Sequence, residues 1–374
     1  MQISKLYNKR RLQSFNTMPA LAKLPADAVR LWATQAIAQH PADFTAALCE
    51  AFKVTRAAAG GAVRQLETEG FVVRVRGGTR PLFGPGLSGL VEISVAPPGL
   101  DESLIWEEVF TPWLTGLQAG PLNIAHYGFT EMVNNANDHA EASHVKLRCA
   151  LTFEALYLWI QDDGVGVFER VRRALGLADA RHALLELSKG KVTTDPARHT
   201  GEGLFFTSRA FSAFELQANG LRYRRHNAGI QTTLLDRLED STPEAAAPGT
   251  RVTLALQRDA SHSLREVFDH YTTGAPEDLS FDRTVVPVKL AQLGEQSLLS
   301  RSQARRLVSR IDRFKRVELD FSDVAEIGQA FADELFRVFV AEHPQVDLRV
   351  IHAGPGVAPM IRRVQASQRA GAVS

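Results

Sequence analysis

The chain has 374 residues, of which 45% are hydrophobic and 23% charged, and its formal net charge is +1 at pH 7. This length allows two or three compact domains, and the nearly balanced charge does not by itself indicate any class of partner. No apolar run approaches the roughly 18 residues of a membrane-spanning helix, so we expect a cytoplasmic protein without a membrane partner.

The two cysteines, Cys49 and Cys149, lie far apart in the sequence, each within an apolar segment. This placement predicts packing roles, and it indicates neither a disulfide framework nor a zinc site.

Residues 1–24 carry basic side chains without a clear hydrophobic period and predict a basic N-terminal arm. From residue 25 to residue 90 the pattern predicts helices over 28–38, 41–51 and 55–70, the last capped by Thr55. Two short strands, 71–76 and 81–83, are separated by Gly77 and Gly78. Three helices followed by a hairpin resemble a winged helix-turn-helix domain.

That resemblance implies binding to double-stranded DNA through the third helix and the wing. The residues expected to face DNA are Thr55, Arg56 and Arg64 on the helix, with Arg74 and Arg76 in the wing. The same helix contains the run 57–61, Ala-Ala-Ala-Gly-Gly, which offers few groups to base edges. A role in dimerisation, including a homodimer, or in binding another protein therefore remains an alternative.

The run 84–89, Gly-Pro-Gly-Leu-Ser-Gly, matches a dinucleotide-binding fingerprint only superficially. The residues after it predict a strand, whereas that fingerprint requires a helix to hold pyrophosphate. We interpret the run as a linker.

Residues 127–140 predict a helix with polar side chains on one side. Glu131, Asn135 and Asp138 fall at positions i, i+4 and i+7, so a carboxylate, an amide and a second carboxylate share a face. Such a face suits a divalent cation and a water molecule, although a solvated stripe on a surface helix would have the same spacing.

Three glycine-containing segments follow this helix. A predicted buried strand, 156–160, leads into the turn 162–166, Asp-Asp-Gly-Val-Gly, where glycines allow close approach of a ligand to the backbone. The run 200–204, Thr-Gly-Glu-Gly-Leu, opens an apolar helix whose free N–H groups suit phosphate. Gly249 and Thr250 then begin an alternating strand, 251–256.

In this order, the helix and the three segments resemble the Bergerat-type ATP site of the GHKL ATPases. DNA gyrase, mismatch-repair ATPases, chaperones of the heat-shock ninety class, histidine kinases and anti-sigma-factor kinases share that site. The resemblance covers roughly residues 100–258 and implies an α/β sandwich with ATP and Mg²⁺ as ligands. It implies that Asn135 ligates Mg²⁺, that Asp162 accepts a hydrogen bond from the adenine amino group, and that Glu131 is a general base.

The resemblance also implies roles for the glycines: Gly164 and Gly166 would shape the adenine pocket, while Gly201 and Gly203 would contact phosphates. Thr250 would hold the adenine end. The predicted nucleotide-binding set is completed by Asp138, Thr200 and Leu204. Asn135 to Asp138 resemble the gyrase and chaperone version, whereas Asn135 with His139 and Ala140 resembles the anti-sigma kinases, so the subfamily stays open.

Residues 168–200 are expected to form a lid over the nucleotide. Its basic residues Lys189, Lys191, Arg198 and His199 could approach a γ-phosphate, although charged lid residues are more often solvated. His139 is expected to be a solvated residue at the end of its helix.

Residues 280–374 alternate between predicted strands and helices, with strands over 283–290, 317–321 and 346–351 and helices over 300–314 and 329–343. This alternation predicts a mostly parallel sheet. The run 319–336 resembles the STAS-like domain of bacterial regulators. Gly328, Gln329 and Ala330 stand where anti-sigma-factor antagonists carry a phosphorylatable serine, so regulation by phosphorylation there is not expected.

The predicted fold class is therefore multidomain α+β: a winged helix, a Bergerat-fold α/β sandwich and a small STAS-like α/β domain. The predicted function is a bacterial regulator in which binding or hydrolysis of Mg-ATP switches the DNA-binding head and the STAS-like domain, with a regulatory protein as a further partner. A protein serine/threonine kinase of the anti-sigma type and a non-hydrolysing nucleotide sensor are the alternatives.

Overall fold

The computed structural model describes residues 24–371 apart from 38, 77, 79, 87–90, 98–99, 115–116, 152–154, 194–199, 231–232, 241–246, 275–279 and 293–296. The predicted basic arm, except for Leu24, lies outside the described residues, as do Arg198 and His199 of the predicted lid.

The described part of residues 24–86 forms a head with its own core. It contains helices α1 (Ala26–Ala36), α2 (Phe44–Phe52) and α3 (Arg56–Thr68), followed by the antiparallel strands β1 (Val72–Arg76) and β2 (Leu82–Pro85). Thr55 caps α3 as predicted, because its hydroxyl accepts a hydrogen bond from the Ala58 N–H at 3.3 Å. The three predicted helices and the hairpin are confirmed as secondary structure.

A large antiparallel sheet follows the head. Within the described residues its strand order is β3-β4-β5-β9-β6-β7-β8. The strands are β3 (Val91–Val95), β4 (Val145–Leu151), β5 (Ala155–Asp162), β6 (Ala213–Ala218), β7 (Leu221–Asn227), β8 (Thr233–Asp240) and β9 (Thr250–Gln257). The sheet begins at Val91, before residue 100 where we placed the domain boundary, because β3 pairs with β4.

The helices of this part of the chain are α4 (Glu102–Ile105), α5 (Ala119–His139), α6 (Val167–Leu175), α7 (Ala180–Lys189), α8 (Gly203–Ala210) and α9 (Leu264–His270). Helices α5 and α8 pack on strands of the large sheet. After α4 the chain forms a π-helical turn, Trp106–Phe110, and a 3-10 turn, Thr111–Trp113, and not a longer α-helix. Pro112 accounts for the change, because proline has no N–H for a continuing α-helix. Helix α5 packs on β5, β9 and α8, so its polar side lies beside the ends of these elements.

The C-terminal domain contains a parallel sheet of order β10-β11-β12 within the described residues, as the alternation predicted. Its elements are β10 (Arg283–Pro287), α10 (Arg301–Val308), β11 (Arg316–Asp320), α11 (Gln329–Asp333), β12 (Asp347–Ile351) and α12 (Ala358–Gly371). A π-helical turn, Glu334–Phe339, and Val340–Glu342 continue α11. Helix α10 is shorter than predicted, since Arg310 has a φ of 63° and a 3-10 turn, Ile311–Arg313, follows.

The buried apolar side chains form two clusters. One extends from Val91 to Val364 and joins the large sheet to the C-terminal domain. The other lies within the head, from Val29 to Phe83. The whole is a mixed α/β structure, compatible with a multidomain α+β organisation, and no helix in the described part of the chain is long and apolar enough to cross a membrane.

Candidate functional site

A cavity of about 310 Å³ lies between α5, the ends of β5 and β9, the predicted lid and the start of α8. Most of the predicted nucleotide-binding residues meet at its wall. Those that line it are Glu131, Asn135, Asp162, Gly166, Thr200, Gly201, Gly203, Leu204 and Thr250.

Asp138 is placed differently from our expectation. It is exposed and does not line the cavity, whereas Met132, Ala136 and His139 do. An α-helix turns about 100° per residue, so positions 132, 135, 136 and 139 centre on one side. Around the helix, Asp138 lies beyond Glu131 and farther from the centre of the side that faces the cavity. The helix therefore presents one carboxylate, Glu131, and one amide, Asn135, to the cavity.

His139 is half-buried in the cavity wall, where we had expected a solvated position. It follows Asn135 by four residues, one turn along the helix. That spacing was the sequence signal that could have identified it.

Asp162 lies at the end of β5, and its side chain is held by backbone donors. Its Oδ1 accepts hydrogen bonds from the Gly164 N–H at 2.9 Å and from the Thr250 N–H at 3.1 Å. Only 6% of the residue is exposed, and burial raises the pKa of its carboxyl group above the ordinary value, against those hydrogen bonds. The carboxylate is thus fixed in orientation at the cavity wall.

The position of Asp162 depends on a strand that is remote in sequence. Strand β9 pairs with β5 so that Arg251 lies opposite Gln161, which places Thr250 beside Asp162. The Thr250 hydroxyl accepts a hydrogen bond from the Val167 N–H at 3.0 Å and thereby ties β9 to the start of α6. Gly249 has a φ of +93°, and a Cβ there would overlap the Asp162 carbonyl, so glycine is required.

The two glycines of the turn after β5 have different positions. Gly166, with a φ of +87°, lines the cavity, and a Cβ on it would overlap the Asn219 side chain. Gly164 does not line the cavity; a Cβ there would overlap the Ala140 carbonyl at the end of α5. Gly164 therefore allows close packing of the turn on α5.

The glycines at 201 and 203 bring three parts of the site together. Gly201 has a φ of +75°, and a Cβ on it would overlap the backbone of Val192 in the predicted lid. A Cβ on Gly203, the first residue of α8, would overlap the Glu131 carboxylate. Glu131 of α5 thus lies directly against the N-terminus of α8, where unpaired N–H groups favour an anion.

Further cavity residues that we had not singled out are Leu187, Val192, Thr193 and Arg170 from the predicted lid, and Glu202 from the run 200–204. Burial raises the pKa of the Glu202 carboxyl group, while the nearby Lys191 acts in the opposite direction. No motif marks the lid residues, because they reach the cavity only through the fold of the lid, whereas Glu202 lies within the glycine-containing run 200–204.

Among the described residues, no group of three or more His, Cys, Asp or Glu side chains is placed to hold a metal ion. A Mg²⁺ ion commonly needs only one or two protein ligands when phosphates and waters supply the rest. The Asn135 amide oxygen in the cavity wall fits that limited role.

The residues predicted to bind DNA are all exposed on the head. Arg74 of β1 is held by Glu67 of α3, with its Nε donating at 2.9 Å, and it also stacks over the Phe83 ring at 5.2 Å. Arg64 lies along the glycines of α3, where a Cβ on Gly60 would be 3.7 Å from its guanidinium. Arg56 lies beside the Thr55 cap, at the first position of the helix.

A match to a known family covers part of the C-terminal domain. Residues 303–358 match the family described as a STAS-like domain of unknown function (DUF4325). The matched segment runs from α10 through β11, α11 and β12 to the start of α12. No curated protein and no solved structure matches the chain.

Proposed function

We propose that the cavity binds ATP with Mg²⁺, and that binding or turnover of the nucleotide regulates a DNA-binding head and a STAS-like domain in a cytoplasmic bacterial regulator. The observation that carries the proposal is the convergence of Glu131, Asn135 and Asp162 with two glycine-rich turns around one cavity.

The donor and acceptor groups fit the parts of such a ligand. The buried, backbone-held carboxylate of Asp162 suits the amino group of an adenine, and Ile160, Leu216 and Val252 supply an apolar surface for its ring. The start of α8 with Gly201 and Gly203 suits phosphates, because backbone N–H groups and the helix dipole favour negative charge there.

Glu131 is the residue proposed to act as general base. Its carboxylate lies at the N-terminus of α8, where phosphates are expected, and it can accept a proton from a water molecule or a substrate hydroxyl. Bound ATP would supply the phosphoryl group for transfer. Asn135, one turn along α5, would hold the Mg²⁺ ion that accompanies the phosphates.

The head is proposed to bind double-stranded DNA through α3 and the β1–β2 hairpin. The exposed arginines of α3 and β1 support this proposal by their positive charge, which phosphate contacts require. The STAS-like domain is proposed to bind a regulatory protein.

The test follows the γ-phosphate of labelled Mg-ATP with the full chain and three cavity variants. Asn135→Ala and Asp162→Ala each remove a polar contact to the ligand, so we expect about tenfold to hundredfold weaker binding. Glu131→Ala should bind Mg-ATP but release no labelled phosphate. Asp138→Ala is the matched control, because Asp138 lies on the same helix outside the cavity.

Free labelled phosphate from the parent chain but not from Glu131→Ala would support an ATPase switch. Label retained on a protein would favour the serine/threonine kinase, and firm binding without turnover would favour the nucleotide sensor. Unchanged binding by both Asn135→Ala and Asp162→Ala would contradict the assignment of the site.

A further inference from the structure

Residues 187–193, here called the shared segment, contact the cavity on one side and the C-terminal domain on the other. Leu187, Val192 and Thr193 line the cavity. Lys189, at the end of α7, and Lys191 make hydrogen bonds to residues beyond 300. The same short stretch of backbone therefore belongs to both the proposed nucleotide site and the domain interface.

Lys189 is the most deeply buried polar group in the shared segment, with 1% of the residue exposed. Its ammonium donates to Glu186 Oε1 at 2.7 Å, to the Arg306 carbonyl at 3.0 Å and to the Ser309 carbonyl at 2.9 Å. A lysine ammonium has three donors, and these bonds engage all of them. The two carbonyls lie at the C-terminal end of α10, where the helix dipole favours a cation.

A buried ammonium is tolerated only when it is paired and hydrogen-bonded. Lys189 obtains one partner from its own helix and two from the C-terminal domain. Burial lowers the pKa of its amino group, and Glu186 opposes that shift. If α10 moved away, the ammonium would be deprived of two of these partners, so the end of α7 and the end of α10 are held together.

The backbone on both sides of Lys189 is fixed by the same domain. The Thr284 hydroxyl, fully buried in β10, donates to the Lys189 carbonyl at 2.7 Å. Gly190 has a φ of +84°, and a Cβ on it would lie 2.6 Å from the Phe281 ring. Lys191 donates to the Arg313 carbonyl at 3.3 Å and lies over the Phe314 ring at 4.7 Å.

Val192, the next residue, contacts residues 200–204, here called the phosphate loop because phosphates are proposed to bind there. The Val192 N–H donates to the Gly201 carbonyl at 3.3 Å, and Gly201 packs without space for a Cβ against the Val192 backbone. The position of the phosphate loop is thus connected, through residues 189–192, to the end of α10.

We propose that Lys189 is a positioning residue through which the C-terminal domain completes the nucleotide cavity, so that docking of this domain and occupancy of the cavity stabilise each other. The proposal rests on the proposed binding of Mg-ATP. Coupling between two sites is reciprocal: a ligand that favours the docked arrangement must bind more weakly when docking is weakened.

The experiment measures Mg-ATP affinity and amide hydrogen exchange in the full chain. In the parent, Mg-ATP should slow exchange in residues 301–313 as well as in 187–193, although 301–313 lie outside the cavity wall. At an Mg-ATP concentration that saturates the parent but not the variant, Asp162→Ala should lose this protection, which shows that the protection requires binding in the cavity.

Two variants weaken the contact in different ways. Lys189→Met combined with Glu186→Gln removes both buried charges together, so that neither remains unpaired. Thr284→Val removes a single hydrogen bond to the Lys189 carbonyl and is the milder change, in case the double variant does not fold. We expect Mg-ATP affinity to fall about tenfold in the double variant and less in Thr284→Val. The ligand-dependent protection of 301–313 should be abolished in the double variant and reduced in Thr284→Val.

Lys289→Met is the matched control, since it removes a lysine that lies outside the shared segment and pairs with Asp323 in the C-terminal domain. It should leave affinity and protection unchanged. Folded variants at 189 and 284 with parental affinity and parental protection would overturn the proposal.

If the parent chain does not bind Mg-ATP, the proposed function fails, yet the positioning role can still be decided. Weakening the contact should then speed amide exchange in residues 200–203 without any ligand. Unchanged exchange at 200–203 in the folded variants would overturn the inference separately from the proposed function.

Discussion

At the scale of single residues, the ionisation of Asp162 depends on its surroundings in the cavity wall. Asp162 is buried, yet its Oδ1 accepts two backbone hydrogen bonds, which hold the carboxylate in one orientation. Burial raises the pKa of this group above its ordinary value. An ionised carboxylate accepts a hydrogen bond from a ligand amino group more strongly than a protonated carboxyl group does, so ionisation of Asp162 should strengthen adenine binding.

The first prediction concerns this ionisation. Because the folded-state pKa of Asp162 is raised, the protonated side chain stabilises the free protein at low pH, and this contribution is lost as pH rises through the folded pKa. The affinity for adenine should change in the opposite direction. It should increase over the same rise in pH, because the carboxyl group of Asp162 ionises. Labelled adenosine, which lacks phosphates, should bind the parent chain more tightly at about pH 7 than at about pH 4.

Equilibrium dialysis across that range, with Asp162→Asn beside the parent, measures the effect. The asparagine variant cannot ionise at this position and should lose most of the rise, while Glu202 in the cavity wall remains able to titrate. If the adenosine affinity of the parent chain did not change with pH, the role given to Asp162 would be contradicted.

At the scale of elements, α3 combines features that favour and oppose DNA binding. Its N-terminus carries Thr55 and Arg56 in exposed positions, and Arg64 is exposed two turns later. Gly60 and Gly61 between them have no side chains for base edges, so phosphate contacts should dominate over sequence readout. The arginine of β1 nearest α3, Arg74, is already paired with Glu67.

The second prediction follows from this distribution. Combining Arg56→Ala with Arg64→Ala should weaken binding of double-stranded DNA about equally across sequences, and the slope of log affinity against log salt should fall by about 1 for each arginine–phosphate interaction that is removed. Fluorescence anisotropy at several salt concentrations measures both quantities. Arg265→Ala, an exposed arginine on α9 outside the head, removes the same kind of charge and should have no effect. Equally weakened binding by this control would point to a nonspecific charge effect.

At the scale of the whole molecule, the cores indicate two cooperative units. The head cluster is separate, while the large sheet and the C-terminal domain share one cluster. Contact between the head and the rest of the described chain includes α1 and the turn Thr111–Trp113. A shared core should unfold as one unit, because its parts lose their burial together.

The third prediction is therefore a two-step thermal unfolding in calorimetry, with the C-terminal domain melting together with the large sheet. Trp32 stacks on Phe44 at 5.3 Å within the head, whereas Trp106, Trp113 and Trp159 belong to the larger unit. Tryptophan fluorescence of Trp32→Phe combined with Trp113→Phe, whose turn contacts α1, should report only the larger transition. Mg-ATP should raise only that transition if the proposed site is correct. Three separate transitions would contradict a core shared with the C-terminal domain.

Hydrophobic periodicity, caps and glycine-rich turns in the sequence were sufficient to predict most of the elements. The three helices and hairpin of the head, the long helix α5, strand β5 and the parallel β/α alternation at the C-terminus are all present. These features depend on local chemistry, such as the Thr55 cap and the alternation of buried residues along a strand, which neighbouring residues determine. The family match over 303–358 supports the STAS-like part of the C-terminal prediction.

Only the tertiary structure decided which residues share the cavity and which interactions join the domains. Strand β9 places Thr250 beside Asp162, and helix rotation turns His139 toward the cavity and Asp138 away from it. Lys189, which the sequence left either near a phosphate or in solvent, is instead buried and holds the end of α10. Such outcomes depend on strand order, helix orientation and the pairing of buried charges between remote segments, and local sequence patterns contain none of these.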